Sequence, residues 1–357
     1  MGKSGTNRAR SPKRRGGASH PAGAEAAAVL FTCIGRRVSL LGAFRRAARR
    51  LRRTVRFYGT DTNPLSPALQ LCDEAFLVRP TSHARYVSQL LSIVRRQGVQ
   101  LLVPTIDLDL RLLARHRRRF EACGCRVLVS DPEVIDLCQD KRQTYDFFRR
   151  NGFDCPLTQS VDSALKAERR GKLTWPCFLK PWDGHAGKNS VVVHDRQGLR
   201  FYAKRVPNVI CQELIEGAEY TCDVYVDFAK RVRCVVPRQR LEVRWGEVSK
   251  GRVVKDARIM AEVARLAERL EAGPGVITLQ LFLTKRNAIK FIEVNPRFGG
   301  GVPLSIKAGA DFPKWILQEL AGKRPRIGFD VFQDGLTMLR YDAEVWRNGS
   351  DLKGTKV

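Results

Sequence analysis

At 357 residues and 43% hydrophobic content, the chain exceeds one typical domain and has enough apolar side chains to fill two or three cores. It shows no run of 18 or more apolar residues and no apolar stretch beside a cleavage-like site, so a helical membrane span and a secretion signal are excluded as readings, no membrane partner is expected, and a cytoplasmic location is predicted. The net charge of +28 attracts polyanions and steers an anionic nucleotide toward a cleft. It is spread along an arginine-rich chain with no helix-turn-helix, zinc-finger or aromatic–basic signature, so no specific nucleic-acid partner is expected.

Residues 1–27 are rich in Gly, Ser, Ala, Pro and basic side chains without periodicity, and read as a disordered basic tail. A buried strand is predicted over 28–34, with a turn at Gly35 and a helix opening at Val38. A second strand over 54–60 ends at Asp61, and a third over 100–104 runs into Thr105-Ile106-Asp107. A helix is predicted over 86–96 and a fourth strand over 126–129. Alternating strands and helices imply a doubly wound, Rossmann-like parallel sheet whose ligands enter at the carboxyl ends of the strands. Gly35, Asp61 and Asp107 stand at such ends and are candidates for binding a substrate. Gly35 lacks the further glycines of a dinucleotide fingerprint, so a generic tight turn fits it as well. The closely spaced pair in Cys123-Gly124-Cys125 has no second pair at zinc-ligand spacing. The ten cysteines fit buried free thiols better than a disulfide scaffold.

Beyond a helix predicted over 141–150, a strand over 175–181 carries Lys180. It leads into a loop bearing Gly184 and Gly187, and a strand follows over 191–194. Glycines let backbone amides approach a phosphate and Lys180 adds a point charge, although a plain hairpin with an exposed lysine fits equally. Around the strand end at Glu213, the run Glu213-Leu214-Ile215 followed by Glu219 offers acids and free backbone groups to an adenine edge and ribose hydroxyls. Solvated turn acids are the alternative. Arg238 follows an apolar strand and, with Arg240, Arg244 and Lys250, is a candidate for an acidic substrate or simple surface charge.

The most informative passage comes next. After strand-like residues 288–292, Glu293-Val294-Asn295-Pro296-Arg297 and then Phe298-Gly299-Gly300-Gly301 place a carboxylate, a carboxamide and a guanidinium at every second position. Period-2 geometry puts all three on one face. Oxygen ligands suit magnesium, and a neighbouring arginine suits a phosphoryl group. A polar strand end entering a glycine turn is the bland alternative.

Taken in order, the strand lysine, the glycine loop, Gln-Glu-Leu-Ile-Glu-Gly-Ala-Glu over 212–219, Gln280 and Glu-Val-Asn-Pro-Arg resemble the ATP-grasp superfamily. The likeness is to its carbamoyl-phosphate-synthase-like carboxylate–amine ligases. The resemblance implies a pre-ATP-grasp domain over 28–131, a small lobe with a lid loop over 132–209, a large lobe with the metal site over 210–330, and an extension over 331–357. It also implies ATP with two Mg2+ or Mn2+ ions, and small carboxylate and amine substrates. Lys141 and Lys180 resemble the family's phosphate-binding residues, with Gly184 and Gly187 in the lid. Glu213, Leu214 and Ile215 resemble the adenine hinge, and Glu219 the ribose acid. Gln280, Glu293 and Asn295 resemble metal ligands, and Arg297 resembles the arginine that, with Lys180, stabilises the transferring phosphate. The chain departs from relatives at Gly184-His185-Ala186-Gly187, where an imidazole and a methyl replace hydroxyls. The resemblance leaves open the acid, the amine and the oligomeric state, a homodimer among the options, and a non-catalytic ATP-binding regulator or scaffold is the alternative reading.

Overall fold

The computed structural model describes residues 1–2, 27–184, 187–244 and 246–357, so nearly all of the expected basic tail lies outside the described residues. Ala27, expected at the end of that tail, instead opens the first strand.

The first part runs β1 (Ala27–Thr32), α1 (Val38–Arg50), β2 (Val55–Asp61), α2 (Pro67–Gln70), β3 (Glu74–Leu77), α3 (Tyr86–Gln97), β4 (Leu101–Pro104), α4 (Leu110–Glu121), β5 (Arg126–Val127) and α5 (Pro132–Gln139). Every residue of β1 is buried, as a central strand covered on both faces requires. Helix α1 buries Leu40, Leu41, Phe44, Ala47 and Ala48, spaced to form one apolar stripe.

The second part contains α6 (Lys141–Arg150), β6 (Thr158–Ser160), α7 (Val161–Arg169), β7 (Cys177–Pro181), β8 (Val191–Val193), α8 (Arg196–Ala203) and β9 (Val209–Glu213). The third holds β10 (Gly217–Val226), β11 (Val232–Arg244), β12 (Glu247–Val253), α9 (Ala257–Arg269), β13 (Gly275–Thr284), β14 (Ile289–Asn295), α10 (Val302–Lys307), α11 (Phe312–Leu320) and β15 (Thr337–Leu339). A final strand, β16 (Thr355–Lys356), follows. Among the described residues no helix is long and apolar enough to cross a membrane.

Three sheets result. The first has the order β16-β3-β2-β1-β4-β5, with every pairing parallel, as the alternating pattern predicts. Two of its strands are unforeseen: β3 is a four-residue edge without a legible pattern, and β16 comes from the far end of the chain. The second sheet is antiparallel in the order β6-β9-β7-β8, and the third is antiparallel in the order β14-β13-β10-β11-β12-β15.

The cores are unequal. One continuous apolar cluster joins the first sheet to the third, running from Phe31 and Phe44 through Phe298 to Trp315. Phe44 and Phe298 meet edge to face with ring centroids 6.1 Å apart. The second sheet has its own small core of Ala164, Cys177, Leu179, Val193, Leu199 and Cys211. The third sheet and the parallel domain therefore form one body, and the second sheet packs as a smaller lobe.

Candidate active site

A cavity of about 550 Å3 lies where the three sheets converge. Its floor is the β13/β14 pair, in which Gln280 stands opposite Glu293 and Thr278 opposite Asn295. Directly opposed residues of an antiparallel pair share a face, so the ladder delivers the carboxylate and both amides to one surface. Gln280 Nε2 donates to Glu293 Oε2 at 3.1 Å.

Two lysines face this floor. Asp140 caps α6 by accepting from the Arg142 amide at 2.9 Å, which fixes Lys141 at the helix start. Lys141 Nζ donates to the Gly184 carbonyl at 2.6 Å and lies 3.8 Å from Glu293 Oε1. The Lys141 amide donates to the Trp182 carbonyl at 3.0 Å, and the Arg142 guanidinium sits 3.9 Å over the Trp182 ring, so α6 holds the entrance of the glycine loop. Lys180 arrives on β7 and is buried. Burial pushes its ammonium down to about 8, with Glu293 opposing and Lys141 adding to the fall. Gly184 and Gly187 both line the cavity, and Gly187 takes a positive φ of 68°. His185 and Ala186 lie outside the described residues.

Arg297 follows the floor strand. Its Nη2 donates to Asp107 Oδ2 at 2.5 Å and to Asn295 Oδ1 at 3.5 Å, and Nη1 donates to the Phe298 carbonyl at 3.1 Å. Its Nε is buried and has no hydrogen-bond partner among the described residues. Asp107 therefore belongs to the cavity wall, paired with an arginine from 190 residues further along the chain.

The lining also includes an apolar set, Phe178, Leu214, Phe282 and Ile292. Leu214 and Ile215 lie between β9 and β10, where the sheet ladders do not claim their backbone groups. Glu213 Oε2 accepts from the Leu157 amide at 3.1 Å and pairs with Lys290 at 3.3 Å, so its side chain is committed to structure. Glu219 pairs with Arg240 at 3.2 Å. Burial raises its carboxyl above the usual range, with Arg240 opposing and Glu293 contributing.

Three expectations need correction. Gly35 and Asp61 do not line the cavity. Asp61 Oδ2 accepts from the Gly35 amide at 2.8 Å, and Oδ1 accepts from the amides of Thr62 and Asn63 at 2.8 and 3.1 Å. The carboxylate fastens its own turn. Arg238 does reach the cavity, but not as a free cation. It is fully buried and grips Asp223 through Nε and Nη2 at 2.7 and 3.0 Å, while Ser305 Oγ donates to the same carboxylate at 2.6 Å. Among the described residues its Nη1 has no hydrogen-bond partner.

Sequence reasoning missed Arg37, which lines the cavity, and its link to Glu247. The available signal was position, because Arg37 stands two residues beyond Gly35 in the turn at the carboxyl end of β1, where a doubly wound sheet presents ligand-binding groups.

The donor set suits a hard cation. Among the described residues no cluster of three or more His, Cys, Asp or Glu occurs. Glu293 with the amide oxygens of Asn295 and Gln280 is an oxygen set of the kind magnesium accepts when phosphates complete its shell.

Comparison with known proteins agrees with this geometry. Residues 29–128 match the model of a PylC-like N-terminal domain, and residues 138–301 match the model of an ATP-grasp domain. Residues 138–301 thus carry an ATP-grasp domain.

Among curated proteins it is similar to the carbamoyl-phosphate synthase of Methanobrevibacter smithii, 26% identical over 168 residues that make up 46% of this chain and 44% of that one. It is also similar to the carbamoyl phosphate synthase large chain of Vibrio cholerae, 26% identical over 225 residues, or 58% of this chain and 20% of that one. The matches thus span less than half the length of these relatives.

Two solved structures share the fold. One is the biotin carboxylase domain of the Hydrogenobacter thermophilus 2-oxoglutarate carboxylase in complex with MgADP, ADP and bicarbonate, with a TM-score of 0.69 at 16% identity, covering 87% of this chain and 73% of that one. The other is an L-amino acid ligase from Bacillus licheniformis, with a TM-score of 0.62 at 18% identity, covering 82% and 74%.

Proposed function

We propose that the chain is an ATP-dependent ligase that activates a carboxylate as an acyl phosphate for attack by an amine, forming a carbon–nitrogen bond. The observation that carries this reading is the convergence of Gln280, Glu293 and Asn295 on one face, with Lys141, Lys180 and Arg297 around it. In this reading residues 28–131 form a pre-ATP-grasp domain, 132–209 the small lobe, 210–330 the large lobe and 331–357 an extension, in a cytoplasmic protein.

Adenine packs on the apolar set and meets the backbone of Glu213, Leu214 and Ile215, while Glu219 receives the ribose. Lys141 and Lys180 take phosphate oxygens, and the amides around Gly184 and Gly187 close over them. Two Mg2+ or Mn2+ ions held by Gln280, Glu293 and Asn295 would neutralise charge on the phosphates. A substrate carboxylate oxygen bonds to the γ-phosphorus as ADP leaves. The amine nitrogen then bonds to the acyl carbon, phosphate departs, and the nitrogen loses a proton. Arg297, steadied by Asp107, directs its guanidinium at the transferring group. Catalysis is positioning and charge compensation, with no protein nucleophile. A closed loop keeps water from the acyl phosphate.

The test is metal-dependent ADP release by purified protein against amino acids, dicarboxylates and bicarbonate, singly and in pairs. Release that needs an acid, rises with an amine and disappears in Glu293→Ala supports the ligase. ATP binding without release under every pairing points to a regulatory role instead.

A further inference from the structure

Arg37 and Glu247 line the cavity and Arg340 contacts Glu247, and the three come from distant segments. Arg37 comes from the turn after β1, Glu247 from β12, and Arg340 from just beyond β15. Arg37 Nη1 donates to Glu247 Oε1 at 3.0 Å and Arg340 Nη1 to Glu247 Oε2 at 3.1 Å, so one carboxylate is clamped between two guanidinium groups. Arg340 Nη2 also holds the Gly300 carbonyl at 2.6 Å, which fixes the glycine turn against this clamp. A Cβ on Gly300 would lie 2.9 Å from the Glu247 carboxyl and 3.0 Å from Arg37 Nη1, so glycine keeps the space beside Arg37 open.

The charge here does not balance. Arg37, Arg297 and Arg340 bring three positive charges against Glu247 and Asp107. Burial lowers the hold of Arg37 on its proton, Glu247 opposes this, and the neighbouring Arg297 and Arg340 add to the strain. Among the described residues Glu247 is the one side-chain partner of Arg37, and it engages a single nitrogen of the fork. The rest of that planar donor faces a cavity already short of negative charge, and an oxyanion fits it. Asp107 uses Oδ2 for Arg297, which leaves Oδ1 for a cationic donor.

We propose that Arg37, braced by Glu247 and Arg340, binds an anionic group on the amine substrate, so that the acceptor is an amine carrying its own carboxylate or phosphate. This inference rests on the ligase reading and deepens it. The amine end lies toward Asp107 and Arg297, and the acid end toward Arg37. The parallel domain, which also lends Ile106 and Asp107 to the lining, thus contributes a specificity-determining side chain to the cavity.

Isothermal titration calorimetry of the full-length protein loaded with MgADP tests it, using probes that differ only in the acid. Glycine is set against methylamine, and O-phosphoethanolamine against ethanolamine. The expected result is that one acid-bearing probe binds at least about tenfold more tightly than its neutral partner, and which pair responds separates carboxylate from phosphate. Arg37→Ala should weaken that probe roughly 10- to 100-fold and erase the discrimination, and Arg37→Lys should recover part of it by keeping the charge without the fork. The proposal is overturned if neutral amines bind as tightly as their acidic counterparts, if no acid-bearing probe binds, or if Arg37→Ala keeps the preference. Failure of the ligase reading looks different: wild-type protein that takes up no MgADP sinks both, whereas MgADP binding without acid preference sinks this inference alone.

Discussion

The two walls of the cavity are built on different terms. The third sheet and the parallel domain share one apolar cluster, and buried or half-buried ion pairs cross between segments: Arg238 with Asp223, Arg297 with Asp107, and Arg37 with Glu247. The small lobe brings Lys180 and the glycine loop from a core of six buried residues, tied to the rest by contacts such as Lys141 with Glu293 and Lys290 with Asp154. Glu293, Asn295, Arg297 and Arg37 therefore sit on the side with the larger shared core. Lys180 and Gly184 sit on the side with the lower cost of local opening. The proposed ligase, which would admit two substrates and then exclude water, calls for this asymmetry.

The contrast can be broken most severely at Arg238. Arg238→Ala leaves Asp223 buried and uncompensated, and is expected to cost about 3 to 5 kcal/mol of global stability, read as a drop in denaturant midpoint. A smaller loss would mean that the shared-core wall is softer than its packing indicates.

Next comes Glu293→Ala, which removes the one carboxylate of the floor and is expected to lower metal-dependent ADP release by roughly 100-fold or more. Circular dichroism on the same sample checks that the fold survives.

The third sharpens the electrostatics of the small-lobe wall. Lys180 gives up its proton at about 8 in the folded chain against an ordinary 10.5, because burial disfavours the ammonium. Below 8 it is charged and attracts phosphate, and above 8 the neutral amine no longer does. Binding of metal-free ATP, followed by calorimetry, should therefore weaken by up to about tenfold per pH unit above 8. Lys180→Arg should abolish the dependence, since an arginine stays protonated. For stability the sign is opposite. The unfolded chain holds that proton up to 10.5, so the cost of burying the charge is relieved as pH rises through 8.

The smallest effect tests the small lobe. Gln212 Nε2 donates to Thr158 Oγ1 at 2.7 Å in a buried contact between β9 and β6. Thr158→Val is expected to cost about 1 kcal/mol. Hydrogen exchange should report it first in the strands of the small lobe, ahead of those beneath the cavity floor.

What was legible in the sequence was local. Lys141–Arg150 reads as a helix, and β14 with Glu293 and Asn295 reads as a strand end with oxygen donors every second residue. Asp61 misled because a carboxylate at a strand end looks the same whether it awaits a ligand or fastens its own turn, and the amides of Gly35, Thr62 and Asn63 decide the matter only in three dimensions. Arg238 was identifiable as a site-facing residue, but its neutralising partner Asp223 sits across a ladder on β10. Arg37, Glu247 and Arg340 share no local pattern. They are 210 and 93 residues apart in sequence, and in an arginine-rich chain no single guanidinium stands out.

The last strand carries a consequence for how the molecule is made. β16 lies parallel to β3 with Thr355 against Phe76 and Lys356 against Leu77, and Lys353 donates to the carbonyl of Cys72 at 2.6 Å and, through its amide, to Gln70 Oε1 at 2.8 Å. Residues near 70–77 are synthesised well before residues around 353–357, so that edge stays unpaired until the later segment arrives. During synthesis β3 is an open template for foreign strands, and the finishing step of the first sheet is a contact across some 280 residues of chain.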